Sequence, residues 1–166
     1  MKVIGFAGWS GSGKTTLVEQ VIGLLDPRGL AVSLLKHAHH EFDIDHSGKD
    51  SHRHRNAGCR EVLVTSARRW AMVHELRNEP ELTLDQALAR LSPCDIVLVE
   101  GYKQAPIAKI EVWRQENGKP QLFPNDPHII AVASNRPVDT MLPQLDLDQP
   151  AVIADFTADT GPLLAF

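Results

Sequence analysis

Gly8-Trp9-Ser10-Gly11-Ser12-Gly13-Lys14-Thr15 fills every fixed position of the phosphate-binding pattern G-x-x-x-x-G-K-[ST]. Its flanks supply the context the pattern needs. Lys2–Ala7 (KVIGFA) reads as a short apolar strand, and the segment from Thr16 to Leu25 carries apolar residues at 17, 18, 21, 22, 24 and 25, as a helix leaving the loop would. Gly8, Gly11 and Gly13 lack a Cβ, so the backbone can turn its N–H groups inward around an anion at a helix N-terminus. Lys14 then meets the β- and γ-phosphates as a point charge, Thr15 offers a hydroxyl to Mg²⁺, and Thr16 addresses the α-phosphate. The motif establishes a phosphate cradle and leaves the base and the reaction open.

Outward from the loop, further apolar runs alternate with turns and helical stretches. Leu30–Lys36 reads as a strand, residues 51–57 as a short helix, and Glu61–Thr65 with Trp70–His74 as two strands joined by a turn. Thr83–Gln86 resembles a capping box opening a helix to about Leu91, and Asp95–Glu100 is a continuous apolar run suited to a central strand. Ile110–Arg114 and a strand from about Gln121 are read as flanking a hairpin-like turn at Glu116–Gly118, with His128–Ser134 a buried strand and Ala151–Ala154 a weaker one. The expected fold is α/β and P-loop NTPase-like. A mostly parallel sheet is flanked by helices, and extra antiparallel edge strands are expected near 70 and 110. No internal repeat or linker divides residues 1–166, which read as one domain.

In such a sheet the ligand meets the carboxyl ends of the strands. Behind the second strand lies KHAHHEFDIDHSGKDS (36–51), and six of the 8 histidines fall between 37 and 54. Three readings stay open for this segment: a zinc site, a solvated loop, or a segment beside the phosphates with Asp43 or Asp45 addressing Mg²⁺. Lys36 stands at the strand end as a further phosphate contact. The metal also needs an acid at the end of a neighbouring apolar strand. Asp95 and Glu100 bracket that strand about 16 Å apart, and only Glu100 is at the carboxyl end. Ser134-Asn135-Arg136-Pro137-Val138-Asp139 loosely resembles the N-K-x-D element that reads guanine, one residue too long and with Arg for Lys, so Asn135 is the candidate base contact and an ordinary Asn-Pro turn the alternative. Lys49, Arg53, Arg55, Arg60, Arg68 and Arg69 make one segment basic, either an anion-binding face or a solvated one.

The whole chain is acidic, with a net charge of −4, which argues against a general nucleic-acid binder. No apolar run reaches membrane-span length, and the first strand begins at residue 2, so a cytoplasmic protein with no membrane contact is expected. The 2 cysteines, Cys59 and Cys94, have no paired spacing and read as buried thiols rather than a disulfide or metal clip.

Four stretches together resemble the MobB-type molybdopterin-guanine dinucleotide biosynthesis adaptor proteins: GWSGSGKTT, KHAHHEFDIDHSGKDS, DIVLVEGYK (95–103) and IAKIEVWR (107–114). The resemblance runs to about Ser134. It implies a homodimeric protein that binds GTP and Mg²⁺, has at most weak GTPase activity, and assists a MobA-type molybdenum cofactor guanylyltransferase. The molybdopterin cofactor is a further ligand within that scheme. By motif position, Gly11, Ser12, Gly13, Lys14, Thr15 and Thr16 would hold the nucleotide with Lys36 and Asn135. Thr15, Asp45 and Glu100 would address the metal, and Lys14, Asp45 and Glu100 would carry whatever chemistry there is.

Slow hydrolysis is also what the residues suggest. No glutamine is placed to orient water, no arginine is assignable as a finger, and Trp9 stands where one group of dimerising P-loop ATPases has lysine. The alternatives are a small-molecule P-loop kinase and a metallochaperone built on the His-rich loop. Against the kinase, residues 120–166 hold only Arg136 where an arginine-rich lid would be expected.

Overall fold

The computed structural model describes residues 1–38 and 42–161, which form two compact units: Met1–His37 with Leu84 onward, and Ala38–Thr83 without the undescribed residues 39–41. In the first unit, strands β1 (Lys2–Ala7), β2 (Val32–Lys36), β5 (Ile96–Glu100), β6 (Lys109–Trp113), β7 (Ile129–Ser134) and β8 (Gln144–Asp146) form one sheet in the order β2-β5-β1-β6-β7-β8. Every pairing is parallel. Period-two alternation divides the strands between two apolar layers. Ile4, Phe6, Ile96, Leu98, Ile110 and Val112 face helices α1 (Lys14–Leu25) and α4 (Pro150–Asp159), whose inward residues include Leu17, Val21, Leu25, Ile153 and Ala154. Val3, Val97 and Val99 face the opposite way, against Leu88 of the short helix α3 (Leu84–Leu88). This places the ends of β1, β2 and β5, and the N-terminus of α1, at one edge of the sheet.

The second unit holds helix α2 (Asp50–Asn56) and the antiparallel pair β3 (Glu61–Thr65) and β4 (Trp70–His74), in the register Glu61↔His74 to Thr65↔Trp70. Its centre is electrostatic. Arg55 donates to Asp43, Asp45 and Glu75 at 2.7, 3.2 and 2.6 Å, with a side chain only 10% exposed. Hydrogen bonds from Arg55 hold the Asp43 carboxyl below its ordinary range. For Asp45 the Ser51 hydroxyl does most of this, with Arg55 adding to it. Arg60 pairs with Glu79 and Arg53 lies 3.7 Å from Asp50, so much of the basic run is spent on internal ion pairs.

Four expectations need correction. The strand at 110 is no edge: β6 lies between β1 and β7, and its alternating polar residues are buried rather than solvated. Lys109, 2% exposed, binds Asp126 at 2.6 Å and the Lys103 carbonyl at 2.8 Å, while fully buried Glu111 accepts the Leu122 and Phe123 N–H groups at 2.7 and 2.9 Å. The turn at Glu116–Gly118 exists, but no hairpin follows. Gln115–Asn117 forms one 3₁₀ turn, Glu111 takes two backbone donors beyond it, and Phe123–Asn125 forms another. Ala151–Ala154 is helical: Pro150 suits a first helical position, and Ile153, Ala154 and Thr157 bury one face. Cys59, read as buried, is exposed, and Cys94 is half-buried. Beyond these, the short strand β8 has no counterpart in the sequence reading, since its three residues carry only one buried side chain, Leu145.

Candidate nucleotide-binding site

Residues Gly8–Gly13 leave β1 and wrap toward α1 with φ of 150° at Gly8, 80° at Gly11 and 88° at Gly13. A Cβ at Gly8 would stand 2.5 Å from the Val112 carbonyl and 2.9 Å from Ser12 Oγ, so that position has neither the backbone freedom nor the room for a side chain. Gly13 is the N-cap residue of α1, and no acidic side chain occupies the helix's first turn. The macrodipole's positive end is therefore left for a ligand. Ser12 is 2% exposed and its Oγ has no hydrogen-bond partner. A buried orphan hydroxyl inside a loop of inward-turned glycines is what a phosphate cradle without phosphate presents. The residues present fit the group.

Lys14 folds back over this loop, donating to the Gly8 and Trp9 carbonyls at 2.8 and 2.9 Å. Burial lowers its pKa from the ordinary lysine value. Glu100 opposes that shift, while the charges of Lys103 and Lys36 add to it. Three cations thus converge where an anion would sit. Trp9 is pinned by its indole N–H on the Pro120 carbonyl at 2.7 Å, with Lys103 Nζ 5.3 Å from its ring centroid.

The acid comes from β5. Glu100 is 7% exposed, accepts from Thr15 Oγ at 3.1 Å, and lies 3.6 Å from Lys36 Nζ. Register explains the grouping: Glu100 pairs with Phe6 of β1 on one side and Lys36 of β2 on the other. Gly101, with φ of 103°, then lets the backbone pass His37, whose carbonyl would be 2.6 Å from an added Cβ. Lys14, Thr15, Lys36 and Glu100 are therefore one constellation, with Gly11, Ser12 and Gly13 in the loop and Thr16 exposed in the first turn of α1. A threonine hydroxyl and a carboxylate in contact are the hard oxygen donors a Mg²⁺ ion takes.

Asp45 belongs to the second unit, where Ser51 and Arg55 engage its oxygens at 2.7 and 3.2 Å. Asn135, just past β7, donates its amide to both Glu116 oxygens at 3.1 and 3.0 Å, and its Oδ1 is buried without a partner. His39, His40 and Glu41 lie outside the described residues. Among the described residues, no three His, Cys, Asp or Glu side chains are grouped to hold a metal, and no helix is long and apolar enough to cross a membrane.

Sequence reasoning missed the segment that braces the cradle. Asn117 donates to the Ser10 carbonyl at 3.1 Å and its Oδ1 lies 3.3 Å from where a Gly11 Cβ would be, while the Arg114 guanidinium lies against Gly13. The sequence signals were the IAKIEVWR stretch, which ends on Arg114, and proximity to β6, read as an edge strand.

Residues 3–135 match the family model described as MobB, molybdopterin guanine dinucleotide synthesis protein B. The chain belongs to the MobB family. It is 41% identical over 160 residues to the molybdopterin-guanine dinucleotide biosynthesis adapter protein of Escherichia coli (strain K12), covering 95% of this chain and 91% of that one. The protein of the same description from Haemophilus influenzae is 43% identical over 155 residues, covering 93% and 86%. Among solved structures, a crystal structure of molybdopterin-guanine biosynthesis protein B superposes with a TM-score of 0.74 at 29% identity, covering 93% of this chain and 95% of that one. Bacillus subtilis MobB gives 0.74 at 25% identity, covering 96% and 97%. The matched span ends at Asn135, so it contains the P-loop, Glu100 and the bracing turn.

Proposed function

We propose that this MobB-family chain is a Mg²⁺-dependent GTP-binding adaptor in molybdopterin guanine dinucleotide biosynthesis, assisting a MobA-type guanylyltransferase. The observation that carries the nucleotide reading is the buried, unpartnered Ser12 hydroxyl inside the Gly8–Gly13 loop, beside the Thr15–Glu100 contact. Gly11, Ser12, Gly13 and Lys14 would hold the phosphates with Thr16 and Lys36, and Thr15 and Glu100 would hold the metal, which supplies charge neutralisation across the phosphate oxygens.

Guanine is favoured over adenine by acceptor chemistry at the ends of β7 and β8. A pocket of about 320 Å³ there is lined by Ser134, Asn135, Gln144, Asp146 and Asp148 among others. Carboxylates accept from the N1–H and amino group of guanine; adenine has no donor at N1. A weak intrinsic GTPase activity belongs to the same reading. The homodimer reading is supported by the β3–β4 pair, which exposes Leu63, Val64, Trp70 and Met72 on a two-stranded sheet with open edges.

The test is calorimetric titration of the purified chain with GTP, ATP and GDP, with and without Mg²⁺, repeated with the transferase. Selective GTP binding and turnover that depends on the transferase are expected. ATP preference with rapid turnover by the chain alone would replace the adaptor with a kinase.

A further inference from the structure

The site contains a fourth cation that the P-loop pattern does not account for. Arg114 follows β6 directly, and its guanidinium packs against the last glycine of the loop. Nε lies 3.3 Å, Nη2 3.7 Å and Cζ 3.9 Å from where a Gly13 Cβ would stand. It is half-buried at the N-terminal end of α1, where the helix dipole is positive and the first turn has no acid. A cation belongs at the opposite end of a helix. Among the described residues its guanidinium has no hydrogen-bond or ion-pair partner. Glu116 feels its charge, but Asn135 is that carboxylate's hydrogen-bonded partner. A guanidinium's planar fork of donors, left unused beside Lys14 and a buried orphan hydroxyl, fits a phosphate group.

We propose that Arg114 is a phosphate-binding residue of the nucleotide site, supplied by the same chain and gripping the phosphate chain in the ground state. The assignment rests on the nucleotide reading above, and the fit at Gly13 is close: φ of 88° favours glycine there, and a Cβ would stand 3.3 Å from the guanidinium Nε. The assignment also gives the turn after β6 a purpose, since one end of that turn braces Gly11 through Asn117 and the other presents Arg114 at Gly13.

The experiment is competition by inorganic pyrophosphate with Mg²⁺ against a fluorescent guanine nucleotide on the full chain, with free guanosine as a second competitor. Arg114→Gln should weaken pyrophosphate and nucleotide about tenfold or more, the usual loss of a charge-assisted contact, and leave guanosine unchanged. Unchanged pyrophosphate affinity, or a loss confined to guanosine through lost stacking on the base, would overturn the assignment. Should the Gln variant fail to fold, Arg114→Lys decides: it keeps the charge and loses the fork, so a severalfold loss is expected and none refutes. A wild-type chain that binds neither pyrophosphate nor nucleotide removes the nucleotide reading itself. One that binds both, with Arg114→Gln equal to it, removes only the role of Arg114.

Discussion

Replacing Glu100 by glutamine separates metal binding from architecture. The glutamine keeps the side chain's shape and one carbonyl oxygen, so the Thr15 hydroxyl at 3.1 Å retains an acceptor. What is lost is the charge facing Lys14 and Lys36; Lys36 is 3.6 Å away with a side chain 56% exposed. Solvent screens such a pair, which limits its contribution to at most about 1 kcal/mol. A fall in Tm of no more than about 4 °C follows for a chain of this size. The metal term is larger. Removing a carboxylate that orients or ligates a bound cation typically costs 10- to 100-fold, or about 1.4–2.8 kcal/mol. GTP affinity in Mg²⁺ should therefore fall by roughly that factor, while affinity measured in chelator should change little. Isothermal titration in both conditions, with a thermal melt of the same sample, reads all three quantities. An equal loss with and without Mg²⁺ would make Glu100 a structural support for Thr15 and Lys36. No loss in either condition would remove it from the site.

Lys109→Ala should be more damaging to the fold than any change in the cradle. It leaves Asp126, 2.6 Å from a lysine side chain only 3% exposed, without its cation though still accepting the His128 N–H at 3.0 Å; about 3 kcal/mol is expected, read as a drop in denaturation midpoint, and a loss below about 1 kcal/mol would show that the pair is not the anchor of that loop. In the second unit, hydrogen bonds from Arg55 and Ser51 lower the pKa values of Asp43 and Asp45 below 3.8, so their contribution is complete above that value and is lost as pH falls through the lowered folded pKa values. Amide exchange of β3 and β4 between pH 5 and about 2 should show protection lost only at the acid end, and protection that instead fails near neutrality would remove the Arg55 cluster as the unit's support.

The cradle was legible because its constraints are local. Three glycines, a lysine and two threonines at fixed spacing need no knowledge of neighbours, and Glu100 followed from strand length and direction alone. Failures came where side chains far apart in sequence replace ordinary rules. The alternation of Lys109, Glu111 and Trp113 is the pattern of a half-exposed strand, yet Lys109 is neutralised by Asp126 and Glu111 by two backbone donors 11 and 12 residues on. Nothing in a window around 110 announces those partners. Ala151–Ala154 failed differently, because four apolar residues suit a strand or a helix equally and only Pro150 and the buried face on α1 decide. Arg55 looked like one of several surface arginines until Asp43, Asp45 and Glu75 closed around it.

The misread strand matters most, because burying β6 is what brings the turn after it to the P-loop. Had 109–113 been an edge hairpin, Arg114 and Asn117 would face solvent. As the strand beside β1, in register Ala7↔Glu111, β6 ends level with the loop and delivers both side chains onto its glycines. The buried carboxylate of Glu111 is the cost of that arrangement: burial raises its pKa, only partly countered by the Leu122 and Phe123 N–H groups it accepts. Those two bonds fix the far side of the same segment. Glu116, on the turn itself, reaches Asn135 at the end of β7, so one short stretch ties the phosphate loop to the strand ends proposed to read the base.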